Sequence, residues 1–199
     1  MRSAKSISIS MATALIVAFA IPAGAQILYT QVNVAIPVGG AYDLDANGDG
    51  VTDFVLQSKL LEVYCTGGDG YSWSLSVTPA GNNAVAIDSR NISPDNAAAM
   101  QLNEAVNSTL RFNNSTTVMA GLYWGACGTG TLGEWLNLPD RYLGIEFRDS
   151  DNLIHYGWVK VSATAYVDRQ YHLHATAVVS GYAYEAIAGK PILAGQISE

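Results

Sequence analysis

Acidic and amide side chains alternate with other residues between positions 45 and 53. Calcium is a hard cation that takes about six to eight oxygen ligands, and side chains at alternate positions of a tight loop can converge on it. Gly50 allows the sharp turn that such a loop needs. The predicted calcium ligands are the side chains of Asp45, Asn47, Asp49 and Asp53 and the carbonyl oxygen of Val51.

This segment resembles the DxDxDG calcium loops of EF-hands, dockerins and integrin-type FG-GAP repeats. An EF-hand has a bidentate glutamate at the twelfth loop position, where this chain has Leu56. The residues after Asp53 also predict a strand rather than a helix, so the resemblance implies a strand-flanked loop with a structural calcium ion. The alternative is a plain turn, because Asn-Gly and Asp-Gly are strong turn signals without any metal.

Catalytic patterns are weak. His155, His172 and His174 could hold zinc, but no acidic residue stands beside them at metal-ligand spacing. Glu146 is a candidate acid for a polysaccharide hydrolase, although a glycosidase needs a second carboxylate across the scissile bond. No nucleophile elbow and no zinc-protease motif is present in the sequence. An enzyme is therefore not favoured.

Aromatic residues suggest a carbohydrate-binding alternative, since flat exposed rings stack on sugars. Trp124 and Trp135 have glycines nearby and are the candidate ligand-binding rings. Trp73 and Trp158 follow strand alternation and are expected in the core.

The sequence contains two cysteines, Cys65 and Cys127. In an oxidising compartment such a pair usually forms a disulfide. The alternative is two separate buried thiols.

Residues 1–25 are typical of a secretory signal peptide. Arg2 and Lys5 precede an apolar stretch, and Ala23 and Ala25 stand three and one residues before the predicted cleavage site. The apolar stretch is short for a membrane span, which needs about 20 residues; an uncleaved anchor is the alternative. The mature domain is then 26–199, exported to the periplasm, cell surface or medium, without a membrane span.

Composition limits the partners. The chain has a formal net charge of −7, and a negative surface repels phosphate backbones, so nucleic acid is not expected as a partner. A glycan or a surface or matrix protein is compatible with this charge.

Short alternating segments bounded by Gly, Asn and Asp turns predict strands along most of the mature chain. The expected strands include 29–36, 54–64, 71–77 and a hairpin of 156–167 with 171–184. One short helix or structured loop is expected within 95–106. These features predict an all-β, antiparallel, single-domain β-sandwich that is jelly-roll-like.

Five segments in order resemble a family of uncharacterised, secreted, β-rich bacterial proteins that often carry a PEP-CTERM sorting tail. They are DANGDGVTDF at 45–54, RYLGIEF at 141–147, YGWVK at 156–160, YAYE at 182–185 and GKPILAG at 189–195. No apolar sorting tail precedes Glu199, so anchoring by that route is not expected. The resemblance implies no activity, and the expected function is a binding or structural role outside the cytoplasm.

Overall fold

The computed structural model describes residues 26–88, 96–126 and 128–198. These residues form thirteen strands and no helix. The strands are β1 (Ile27–Pro37), β2 (Ala41–Leu44), β3 (Phe54–Cys65), β4 (Gly68–Pro79), β5 (Ala84–Ala86), β6 (Ala105–Val106), β7 (Phe112–Asn113), β8 (Thr117–Gly125), β9 (Gly130–Gly133), β10 (Leu138–Arg148), β11 (Ile154–Val167), β12 (Leu173–Glu185) and β13 (Ile192–Leu193).

Two antiparallel sheets make a β-sandwich. The larger sheet has the strand order β1-β12-β11-β10-β5-β7, and the smaller sheet has the order β2-β3-β4-β8-β9. Successive side chains of a strand point to opposite faces of its sheet. The apolar residues of these strands share one face, so the two apolar faces pack against each other between the sheets. The predicted fold class is confirmed.

The main core lies between the two sheets. The smaller sheet contributes Phe54, Leu56 and Trp73, and the larger sheet contributes Leu143 and Val161. All five side chains are fully buried. The indole N–H of Trp73 donates to the Ser58 hydroxyl at 2.9 Å, which satisfies the polar atom of each buried side chain.

A second apolar cluster covers the other face of the larger sheet. Strands β6 and β13 pair with each other and lie over this face, so the larger sheet is buried on both sides. The cluster consists of Ala86, Met100, Val106, Tyr142, Tyr156, Trp158, Ala183, Ile192 and Ala194. Trp158 is 2% exposed, in agreement with its prediction as a core residue.

The long hairpin of β11 and β12 is present as predicted; its turn covers 168–172, two residues longer than the expected 168–170. The helix considered for 95–106 is absent from its described part, 96–106, which instead forms turns, isolated bridges and β6. The extended backbone satisfies its polar groups by pairing with neighbouring strands: Met100 exchanges two hydrogen bonds with Tyr142. The predicted signal peptide, 1–25, lies outside the described residues. Within the described part of the chain, no helix has the length and apolarity to cross a membrane.

The connections between strands divide over two ends of the sandwich. One end, which we call the polar end, carries the loop 45–53, the turn 80–83 and the turn 149–153; these three segments line one cavity. The opposite end carries the tip of the β11–β12 hairpin and the far half of the β3–β4 hairpin, which line another cavity.

Candidate functional site

The loop 45–53 joins β2 to β3, so it is flanked by strands as predicted. Gly48 and Gly50 have φ angles of +77° and +86°. Residues with a Cβ rarely adopt this left-handed conformation, so the two glycines allow the tight turns by which the loop leads from β2 into the antiparallel β3.

Asp45 organises the loop through its carboxylate. One oxygen accepts hydrogen bonds from the backbone N–H of Gly48 at 2.7 Å and of Asp49 at 3.2 Å. The other oxygen accepts from the N–H of Gly50 at 2.7 Å. An ionised carboxylate has about four acceptor positions, so Asp45 retains capacity for a further partner.

Asn47 and Asp49 lie against Asp45. The N–H of Asp49 donates to Asn47 Oδ1 at 3.0 Å as well as to Asp45, so an oxygen of each of these two side chains lies beside one nitrogen. Asn47 Nδ2 donates to Asp49 Oδ2 at 3.1 Å. The oxygens of Asp45, Asn47 and Asp49 are therefore gathered on one turn of chain.

Asp53 departs from the expectation that it closes the metal shell. Its carboxylate is 6% exposed and accepts hydrogen bonds from the backbone N–H of Ala46 at 2.8 Å and from Asn83 Nδ2 at 2.9 Å. A buried carboxylate needs such donors, and these come from the loop's start and from the neighbouring turn. Asp53 thus ties the loop to the sandwich.

The loop concentrates negative charge around Asp53. Burial raises the pKa of Asp53, and the negative charges of Asp49 and Asp45 raise it further, although the hydrogen bonds from Ala46 and Asn83 oppose this. In the part of the chain that the structure describes, no group of three or more His, Cys, Asp or Glu side chains is arranged to hold a metal. The loop's gathered set is instead two carboxylates and one amide.

A polar cavity of about 280 Å³ adjoins the loop. Asp49 and Asp53 line it together with Asn83, Arg148 and Asp149. Asn83 connects its own turn to the loop and to the end of β10. Its amide donates to Asp53, and its Oδ1 accepts from the N–H of Arg148 at 3.1 Å.

His155 lies at the polar end and is 5% exposed. Its Nδ1 lies 2.9 Å from the carbonyl oxygen of Glu185, and its Nε2 lies 3.0 Å from Asp149 Oδ2. The N–H of Leu153 and the His155 ring hold the pKa of Asp149 below its usual range. With both ring nitrogens engaged, His155 is a structural group and not a free base.

His172 and His174 lie at the other end of the same hairpin, separated from His155 by the length of β11. A zinc site built from all three histidines is therefore excluded. An acidic partner is present after all: Asp168 Oδ2 lies 3.0 Å from His174 Nε2 and 3.5 Å from His172 Nδ1. The hydrogen bond from His174 is the main reason why the pKa of Asp168 falls to about 2.

The two candidate ligand-binding tryptophans are both buried. Trp135 is 0% exposed and its indole N–H donates to the Ala97 carbonyl at 2.9 Å, so the expectation of an exposed ring is wrong. Trp135 does lie in the loop between β9 and β10, as the nearby glycine suggested, but its ring fills the space between the sheets. Trp124 lies in β8 and is 5% exposed; it lines a cavity of about 500 Å³ with Tyr71 and Tyr171.

The carboxylate suggested for a hydrolase lies elsewhere. Glu146 lies near the end of β10, opposite Ala84 and Tyr156 of the neighbouring strands. Burial raises its pKa, whereas the charge of Arg148 lowers it. Glu146 lines neither the polar cavity nor the cavity at Trp124.

Cys65 ends β3 at the hairpin that leads into β4. Cys127 lies outside the described residues, so the disulfide stays a prediction. Ala126, the residue before Cys127, donates its N–H to the carbonyl of Asp69 at 3.0 Å. Ala126 therefore lies beside the β3–β4 hairpin that carries Cys65.

Comparisons with protein-family models, with curated proteins and with solved structures find no significant match. The functional argument therefore depends on the geometry of this chain.

Sequence reasoning missed two contributors. The first is Asn83, because nothing local to the turn 80–83 reveals that its amide reaches Asp53. The second is Tyr71, which lies two residues from Trp73 and therefore on the same face of β4. How far the larger sheet covers this face depends on long-range packing, so the exposure of Tyr71 has no local signal.

Proposed function

We propose that this chain is an exported β-sandwich protein that is stabilised by calcium and has a binding or structural role at the cell surface or in the extracellular matrix. The observation that supports the calcium part is the loop 45–53, where oxygens of Asp45, Asn47 and Asp49 are gathered by hydrogen bonds to the loop's own backbone. A donor set made only of oxygens suits calcium and not a soft metal.

The proposed ligands are the side chains of Asp45, Asn47 and Asp49 and the carbonyl of Val51, with water completing the shell. Asp53 acts as a positioning residue through Ala46 and Asn83. A bound calcium ion would supply the positive charge that offsets these neighbouring carboxylates, and it would stabilise the folded state without a chemical step.

Calorimetry and thermal unfolding test this proposal. Extracellular calcium modules bind with dissociation constants of about 10⁻⁴ to 10⁻³ M. At free calcium about a hundred times the dissociation constant, binding to the folded state alone adds about 2.7 kcal/mol of stability. Calcium should therefore raise the melting temperature and chelator should lower it. Magnesium should substitute poorly, because it requires stricter octahedral geometry.

The informative variant is Asp49→Ala, which removes an exposed carboxylate from the gathered set and should abolish the effect of calcium on melting. Asp43→Ala is the matched control, since Asp43 is an exposed carboxylate two residues before the loop. It should respond to calcium as the wild type does. Absence of calcium binding up to about 10 mM, well above the expected range, would reduce the segment to a plain turn.

Export has its own test. The N-terminal sequence of the secreted protein should begin at Gln26. An exported form that retains residues 1–25 would contradict this part of the proposal.

A further inference from the structure

At one end of the sandwich, the larger sheet does not cover the inner face of the smaller sheet. Leu60 pairs directly with Trp73, and Tyr71 pairs directly with Trp124. Directly paired residues share a face, so Leu60, Tyr71 and Trp124 continue the inner face on which the core residue Trp73 lies. Leu60 and Tyr71 are nevertheless 39% and 37% exposed. The sandwich is therefore open at this end.

The tip of the β11–β12 hairpin faces these residues across the opening. Tyr171 and His172 from this tip and Val38 from the β1–β2 turn complete a cavity of about 500 Å³, which we call the aromatic cleft. Small-molecule sites typically measure about 300–1,000 Å³ and combine apolar and aromatic walls with a few polar groups. The aromatic cleft has this size and composition.

Two features of the rings favour a ligand. Tyr71 stacks on Trp124 with ring centroids 5.5 Å apart, and Tyr171 is 77% exposed at the rim. The indole N–H of Trp124 is buried without a hydrogen-bond partner in the described part of the chain. Few buried donors in folded proteins lack a partner, so the wall of the cleft at Trp124 is not fully satisfied by the described part of the chain.

Polar groups flank the aromatic cleft on one side. Asp168 holds His172, which lines the cleft, and His174, which lines an adjoining cavity of about 410 Å³. The two cavities share Val38 and Leu173. In the second cavity the His174 ring is stacked on the ring of Tyr166. Flat rings therefore line both cavities.

We propose that the aromatic cleft binds a neutral saccharide chain. This inference rests on the binding role proposed above but not on the calcium loop. A pyranose ring has an apolar C–H face, which matches Tyr71 and Tyr171, and a hydroxyl edge, which can bond to His172. The adjoining cavity would accept the next sugar along the chain.

Other ligand classes fit less well. An acyl chain needs an enclosed apolar cavity that removes its surface from water, whereas this cleft opens to solvent. An anionic ligand would bind close to the carboxylate that pairs with His172, on a chain whose formal net charge is −7. A neutral ligand that keeps one edge in water avoids both costs.

The test is titration of the folded protein with neutral oligosaccharides, followed by calorimetry and tryptophan fluorescence. Trp124 lines the cleft, whereas Trp73, Trp135 and Trp158 are buried elsewhere, so a change in emission reports on this site. The key variant is Tyr171→Asn. Tyr171 has a φ of +65°, which asparagine tolerates well, so the turn should keep its shape. Tyr64→Asn is the matched control, because Tyr64 is 81% exposed and lines neither cavity.

We expect saturable binding of at least one neutral oligosaccharide, weakened about tenfold or more by Tyr171→Asn, as for other aromatic anchors, and unchanged by Tyr64→Asn. Binding should persist in chelator below the melting temperature, so failure of the calcium proposal would leave this result intact. The proposal is overturned if no neutral oligosaccharide binds, if both variants weaken binding equally, or if only anionic glycans or acyl chains bind.

Discussion

The polar end of the sandwich is closed by short turns whose side chains bond to neighbouring backbone, whereas the aromatic end stays open between two hairpins. At the polar end, Asp53 and Asn83 tie the loop 45–53 to the adjacent turn. At the aromatic end, Tyr71 and Tyr171 face a cleft and remain exposed. Tyr71 lies eight positions along β4 from Pro79, which is beside the loop, and this is about 26 Å of strand. We infer that the polar end takes the calcium ion and that the aromatic end takes the saccharide.

The disulfide should have the largest effect on stability, and it would act at the aromatic end. Replacing both Cys65 and Cys127 with alanine should lower the free energy of unfolding by about 4 kcal/mol, because the bridge would close a long loop in the unfolded chain. Urea unfolding measures this change. Calcium affinity at the polar end should be unchanged. Two reactive thiols in the unfolded, unreduced wild type would show that no bridge exists.

Removal of the Asp53 carboxylate should be the largest single change at the polar end. Asp53→Ala leaves the N–H of Ala46 without an acceptor and removes the shorter of the two hydrogen bonds that Asn83 Nδ2 donates, the other going to the backbone carbonyl of residue 53 at 3.4 Å. An unsatisfied buried donor costs about 1–3 kcal/mol, so we expect a loss of about 2 kcal/mol in urea unfolding. Asp43→Ala is the control and should lie within about 0.5 kcal/mol of the wild type. Equal stability of the two variants would contradict the positioning role of Asp53.

A smaller, pH-dependent effect is expected at the hairpin tip. The pKa of Asp168 is lowered to about 2, chiefly by the hydrogen bond from His174 and then by the backbone N–H of His172. Because the folded-state pKa lies below the unfolded value, the ionised carboxylate stabilises the tip above the unfolded pKa. That contribution is lost as the pH falls through about 2.

Asp168→Asn should therefore speed amide hydrogen exchange at Gln170 and His172 near neutral pH, since both N–H groups donate to this carboxylate. The difference between variant and wild type should shrink as acid protonates Asp168. Asp43→Asn, at the other end of the molecule, should leave exchange at the tip unchanged. A difference that does not depend on pH would argue against the ionised carboxylate as its source.

The sequence predicted more of the fold than of the sites. Alternation identified the β11–β12 hairpin, because a regular strand with one buried face repeats every two residues. The loop 45–53 was recognisable because its ligand types and its glycines are local in the chain. Trp135 was misplaced because the glycines beside it are local, while its burial between the sheets depends on distant strands. The contact between Asn83 and Asp53 spans 30 residues and has no local signature.

The most direct test of the division between the two ends is a map of backbone amide chemical shifts as calcium is added to the folded protein. The account predicts saturable changes at residues 45–53 and at Asn83, with no change at Tyr71, Trp124 or Tyr171. No change in the loop, or a calcium response centred on Asp168 and its two histidines, would contradict it.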